Sequence, residues 1–268
     1  MAGVIAAPAA LISEPSAKAP SERTELFNGK DLTGLRTWLV DVHREDPRQV
    51  YTVSNGVLRI SGNGLGYVGT ALAYRDYHLI VEFRWGDTNT RWGERIGKAR
   101  DSGVFLHATG ADGNSHDGGG AFMAALECQV MEGSVGDILL IRGTSSDGSV
   151  IAPRVAVETE GSNDADGWPF WKSGGDVRTL ERWGRVNRLH KSRQWRDEFG
   201  FKEIEPEVAS GQWNRLECLC SNDRITIRLN GRTVNEVSKV FPRHGRILLQ
   251  CEGSEVFFRR FELLPLRK

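Results

Sequence analysis

The residues with the clearest chemical content lie in Ala125 to Gly133, ALECQVMEG. An apolar run carries Glu127 and Gln129 two apart, with Glu132 three further on. Strand side chains alternate between faces, so Glu127, Gln129 and Met131 share one face, and Cys128 and Val130 the other. A second run, SGVFLHATG, sets Phe105 and His107 opposite Val104 and Leu106. A third, YHLIVEFRW, alternates Leu79, Val81, Phe83 and Trp85 against His78, Ile80, Glu82 and Arg84. A carboxylate, an imidazole and a guanidinium on neighbouring strands can move protons and hold a developing negative charge. Glu127 and His107 are therefore the candidate catalytic pair. Gln129, Arg84, Glu82 and Glu132 are candidate substrate contacts. Glu132 falls on the opposite face unless a bulge intervenes.

These side chains need strands to present them, and the chain supplies many. YTVSNGVLRISG is two alternating runs about Asn55-Gly56, and Asn230-Gly231 follows another strand pair. Asn-Gly between alternating runs is the strongest short hairpin signal. Ten or more short strands at this spacing predict an all-β sandwich or barrel. Residues 1–24, rich in Ala, Pro and Ser, read as a disordered leader or signal-peptide remnant. Residues 25–268 read as one domain. From about 143 to 210 the rhythm breaks around Trp168, Trp171, Trp183 and Trp195. Four tryptophans argue for an ordered insertion, with a short helix expected over LHKSRQWRDEF.

The totals limit the alternatives. Lys plus Arg and Asp plus Glu are both 35, so the net charge is zero and no nucleic-acid partner is expected. No apolar run reaches the length of a membrane span. Cys128, Cys218, Cys220 and Cys251 form no Cys-x-x-Cys pair, and buried thiols are the expectation. A Cys218–Cys251 disulfide is the alternative.

ELFNGKDLTGL, SNGVLRISG, YRDYHLIVEFRW, DSGVFLH, ALECQVMEG, GQWNRLECLCSNDRITIRLNGRTVNEV and GRILLQCEGSEVFFRRFELLPL occur in that order. Together they resemble the 3-keto-disaccharide hydrolase domain family over residues 25–142 and 211–266. The resemblance implies a concanavalin A-like jelly roll of two antiparallel sheets, one with a concave face. It also implies action on 3-keto-glycosides and a secreted, periplasmic or envelope location. The chain departs from the family pattern at Asp101-Ser102-Gly103-Val104, at His107 and in the long insertion.

In a sugar oxidised at C3, the C2 proton is acidic and the C1 substituent can leave by elimination. That chemistry needs a base, donors for the enolate oxygen and an acid. Glu127 is the candidate base, Gln129 orients a hydroxyl, His107 is acid or ligand, and Arg84 is the charge partner. The plain alternative is a polar sheet face turned to water. A non-catalytic carbohydrate-binding module of the same fold is a second reading. A laminarinase-like retaining glycosidase is a third, because Glu127-x-Gln129-x-x-Glu132 matches the outer spacing of that two-carboxylate motif, with Gln for its middle Asp. Trp168 and Trp171 could stack on sugar rings. Asp112, Asp117, Asp164, Asp166 and Asp176 are candidate Ca²⁺ ligands, and His116 a transition-metal ligand, although the spacing fits no defined calcium loop. Aglycone, anomeric preference and oligomeric state stay open.

Overall fold

Both Asn-Gly pairs form hairpin turns. Asn55 and Gly56 have φ of 50° and 77° and join Tyr51–Ser54 to Val57–Ile60. Asn230 and Gly231, at 49° and 84°, join Arg224–Leu229 to Arg232–Phe241. Positive φ at both central residues gives the turn a twist that matches the strands it links. The structure is a computed structural model and describes residues 16–181, 183–201 and 204–266.

Two antiparallel sheets face each other as a jelly-roll sandwich. The seven-stranded sheet runs Gly184–Val186, Ile138–Ile141, Ala124–Met131, Asp101–Thr109, Arg246–Glu252, Leu65–Thr70 and Leu35–Leu39. The eleven-stranded sheet is centred on Asn214–Ser221, Tyr77–Asn89 and Ser254–Pro265. Its Leu79, Val81, Phe83 and Trp85 point inward as the alternation predicts. They join Val104, Leu106, Leu126, Cys128 and Val130 from the facing sheet in one core. Each such side chain contributes about 1.5–3 kcal/mol on full burial. The four cysteines are buried and free. Cys218 neighbours Cys128 of the opposite sheet rather than Cys251.

Three boundaries differ from expectation. The leader's first fifteen residues lie outside the described residues. Its last part is ordered: Lys18 bridges Tyr74, and Thr24–Glu25 pairs with Leu263 and Glu262. The insertion does more than cover an edge. Arg154–Asn163 extends the large sheet beside Arg232–Phe241, and Gly184–Val186 extends the small one beside Ile138–Ile141. No helix forms over residues 189–199, which run through turns. Trp195 is held there by its indole N–H, which donates to Glu132 O at 3.0 Å, and a short isolated helix has little stability to compete with that anchor. Among the described residues no helix is long and apolar enough to cross a membrane.

Candidate functional site

Three adjacent strands of the small sheet repeat one pattern on the face turned away from the core. The central strand presents Phe105, Gly103 and Asp101. On one side Ala125, Glu127, Gln129 and Met131 follow, with Phe105 opposite Glu127, Gly103 opposite Gln129 and Asp101 opposite Met131. On the other side come Leu248, Gln250 and Glu252, with Leu248 opposite Phe105. The apolar ends are covered. Phe105, Ala125 and Leu248 pack with Ala121, Phe122 and Met123 of the glycine-rich loop. Met131 packs with Ala99, Trp195 and Phe201. Between these two small cores lies a polar band of Asp101, Glu127, Gln129, Gln250 and Glu252. That band is why an apolar strand carries a carboxylate and an amide.

Gly103 makes the band possible. A Cβ there would stand 2.3 Å from Glu127 Oε1 and 2.9 Å from Gln250 Oε1, so any side chain would displace both. Gln129 Nε2 donates to Asp101 Oδ1 at 2.7 Å, and Gln250 Nε2 donates to Glu252 Oε2 at 2.7 Å. Arg95, from the loop after Tyr77–Asn89, lies 3.3 Å from Asp101 Oδ2. Arg185 is clamped by Asp137, to whose Oδ2 its Nε and Nη2 donate at 3.0 and 2.7 Å. His190 lies against Trp195, ring centroids 4.5 Å apart. Glu127 Oε1, Gln129 Oε1, Gln250 Oε1 and His190 Nδ1 are buried without partners.

Burial governs the proton affinities in this band. The Glu127 carboxyl is pushed well above the ordinary range by desolvation, then by the charges of Glu252 and Asp101. Asp101 is pushed well up by burial and by Glu252. Glu252 is raised by burial, but Arg95, Arg185 and the Gln250 amide draw it back toward the ionised form. His190 falls to about 2 through burial and the nearby cations Arg185, Lys191 and Arg95. The site thus holds two carboxyls, Glu127 and Asp101, that burial holds in the protonated form, a third, Glu252, raised by burial against the pull of two guanidiniums, and a neutral imidazole. These are the parts of a general acid–base centre.

Glu127 and Gln129 share this band as expected, and the other candidates lie elsewhere. His107 sits in a bulge of its strand, with φ of 57° and a register shift between Leu106 and Thr109. One extra residue turns it off the shared face. Its ring is buried, packs edge-on to Tyr77 at 5.8 Å, and has Nδ1 2.8 Å from Pro242 O. Glu132 follows the strand end and binds Arg100 in a buried ion pair, with Arg100 Nε 3.1 Å from Oε2. The register through Gln129, Val130 and Met131 is unbroken, so no bulge brings Glu132 beside Glu127. The two-carboxylate geometry of the laminarinase-like motif is therefore not formed. Glu82 and Arg84 lie on the outer face of the other sheet. Glu82 pairs with Arg259 and Arg260 at 2.7 and 3.4 Å, and Arg84 lies over Phe257 and Trp213.

Trp168 rests against Trp183, centroids 5.5 Å apart, within the insertion. Trp171 lines a separate groove of ≈ 550 Å³ with Phe170, Asn163 and Gln194. Three of the candidate metal ligands, Asp112, Asp164 and Asp166, have other partners. Asp112 binds Tyr67, Arg44 and Arg246, each near 2.7 to 2.8 Å. Asp164 accepts from the backbone of Asp166 and Trp168 and from Asn187, while Asp166 pairs with Lys191. Among the described residues no group of three or more His, Cys, Asp or Glu is arranged to hold a metal.

Asp101, Gln250, Glu252, Arg95, Arg185 and His190 were not anticipated. Two signals pointed to part of this set. Gln250-Cys-Glu252 mirrors Glu127-Cys-Gln129 in reverse, and Asp101 is in phase with Gly103 and Phe105. Arg95 comes from a loop and Arg185 from a three-residue edge strand, both too short to show periodicity.

The family comparison places this jelly-roll sandwich in a carbohydrate-related class of protein. The model of the 3-keto-alpha-glucoside-1,2-lyase-like domain matches residues 22–264, and the chain belongs to that family. A provisionally assigned glycosyl hydrolase from Parabacteroides distasonis ATCC 8503 shares 17% identity with a TM-score of 0.51, covering 92% of this chain and 94% of that one. Carbohydrate-binding module CBM66 from Bacillus subtilis shares 10% identity with a TM-score of 0.43, covering 85% and 94%. A β-glucanase from Bacillus licheniformis shares 10% with a TM-score of 0.42, covering 91% and 97%. The search of curated proteins gave no match.

Proposed function

We propose that the protein cleaves 3-keto-glycosides at the band around Gly103. The observation that carries this reading is the convergence of Glu127, Asp101 and Glu252 with Arg95 and Arg185 on one sheet face. Glu252 removes the C2 proton, since the two guanidiniums favour its ionised form. The electron pair left at C2 delocalises onto the C3 oxygen, where Arg95 or Arg185 stabilises the enolate. Collapse of the enolate forms the C1–C2 double bond and expels the C1 oxygen, which takes the proton held by Glu127. Water then adds across the double bond: its oxygen bonds C1 while Glu127 takes back a proton from it, and Glu252 returns its proton to C2, which completes an overall hydrolysis. Glu127 thus acts as acid rather than as the base expected from sequence, because burial keeps its proton on. Such substrates and the family fit a secreted or envelope protein.

The test is release of the aglycone from a chromogenic 3-keto-glucoside by purified protein. Glu127→Gln is expected to slow it by at least about 100-fold, the low end for loss of a proton-transfer group. Full activity in that variant removes Glu127 from the mechanism. The groove beside Trp171 favours one second reading, a binding module. Saccharide binding without turnover, lost in Trp171→Ala, would establish it instead.

A further inference from the structure

Gln129 and Gln250 flank Gly103 from the strands on either side, Glu127 Oε1 and Gln250 Oε1 occupy the space its missing side chain leaves, and one hydrogen bond orients each amide. Each NH₂ is bound to a carboxylate, Asp101 for one and Glu252 for the other. The bonded nitrogen turns the carbonyl oxygen away from that carboxylate. Both carbonyl oxygens are buried and unpaired, and so is Glu127 Oε1. Gln129 and Gln250 are 3% and 1% exposed. Folded proteins rarely leave buried acceptors alone, and each costs about 1–3 kcal/mol. Neither amide oxygen has a donor of the protein within hydrogen-bond distance.

The missing donor is better matched by hydroxyl groups than by a cation. Arg95 and Arg185 already bring positive charge to Glu252, within the same cluster. The remaining unpaired groups are neutral amide oxygens, which suit neutral O–H donors. We propose that Gln129 and Gln250 determine specificity by accepting hydrogen bonds from two hydroxyl groups of a pyranose, with Asp101 and Glu252 as positioning residues that hold the amides in that orientation. The proposal rests on the carbohydrate reading above but not on its elimination step.

The experiment is calorimetric binding of methyl glucoside, its 3-keto form, and the 2-, 4- and 6-deoxy versions of each. Wild type is expected to bind at least one of the two parent sugars and to lose about 10-fold in affinity at two deoxy positions, the equivalent of one buried hydrogen bond each. Gln129→Met and Gln250→Met should each lower affinity for the parent sugar, and each should abolish the penalty at one deoxy position. The deoxy series on wild type stands by itself should a Met variant fail to fold. The proposal is overturned by deoxy analogues that all bind like the parent, by Met variants that weaken every sugar equally, or by no binding of any sugar. Binding with the expected deoxy pattern but without aglycone release would sink the elimination step and leave this assignment intact.

Discussion

Glu82 and Glu127 are both strand glutamates near arginines, and they lie on opposite sheets. At Glu82, on the outer face of the large sheet, Arg259 is 2.7 Å away, Arg260 3.4 Å and Arg215 3.9 Å. Those arginines are between 32% and 46% exposed and meet water as well as the carboxylate. At Glu127 one oxygen has no partner, two amide oxygens of the same band are also unpaired, and the residue is 3% exposed. The first arrangement is saturated and solvated, so it lowers the energy of the sheet without leaving anything to react. The second is enclosed and undersaturated, which costs stability and leaves groups ready for a ligand. Proximity of acid to base does not distinguish the two glutamates; several unpaired acceptors gathered on adjacent strands do.

Breaking a saturated buried pair should give the largest effect. Glu132→Ala leaves the Arg100 guanidinium, 2% exposed, without its carboxylate, and should cost about 3–5 kcal/mol in urea unfolding. Activity per folded molecule should remain, because neither residue lies in the polar band. A catalytic defect at unchanged stability would return Glu132 to the site.

His107 should show itself as acid sensitivity. Its imidazole is lowered from 6.5 to about 4, chiefly by burial and also by His244, against the pull of Pro242 O and Asp76. The unfolded chain therefore takes up this proton first, and stability is lost as pH falls from about 6.5 to 4. The maximum loss is about 3 kcal/mol. His107→Asn tolerates the positive φ, and its unfolding midpoints should fall less between pH 7 and 4.5 than those of wild type. His190, lowered further, keeps part of the slope. Turnover should change little; a loss of 100-fold would restore His107 to the mechanism.

Glu127→Gln should move stability and activity in opposite directions. The folded state raises this carboxyl, so it retains a proton that the unfolded chain releases, and the fold loses stability as pH rises through and above the ordinary carboxyl range. Removing the titration should raise the unfolding midpoint at pH 8 while lowering turnover about 100-fold. The variant should also lack the alkaline fall in kcat that deprotonation of a general acid causes. A destabilised variant would mean that Glu127 is structurally paired, as Glu82 is.

How much was legible in the sequence follows from the same contrast. Period-two alternation gave the hairpins, the inward face of Tyr77–Asn89 and the shared face of Glu127 and Gln129. Gln250 and Glu252 were equally readable, since they alternate in an apolar strand that pairs next to the central one. His107 was lost because a single bulged residue reverses facing, and nothing in SGVFLHATG marks the bulge. Glu132 was misjudged because its partner Arg100 is 32 residues away. Arg95 and His190 reach the site from loops and Arg185 from a three-residue edge strand, and their positions are set by tertiary contacts such as the Asp137 clamp and the Trp195 anchor.

The smallest expected effect tests the saturated side of the comparison. Glu82→Gln removes a charge shared by three arginines, yet each arginine keeps other support. Arg215 Nε donates to Glu217 at 2.9 Å, Arg260 retains Glu262, and Arg259 lies 4.5 Å over the Trp213 ring. The loss should therefore be about 1 kcal/mol or less, the usual range for exposed pairs. It should shrink further in 0.5 M salt, where screening acts within about 5 Å. Turnover should be unchanged, since Glu82 lies on the outer face of the other sheet. A larger, salt-independent loss would show that the outer network is drier than its exposure implies, and saturation rather than burial would then separate the two glutamates.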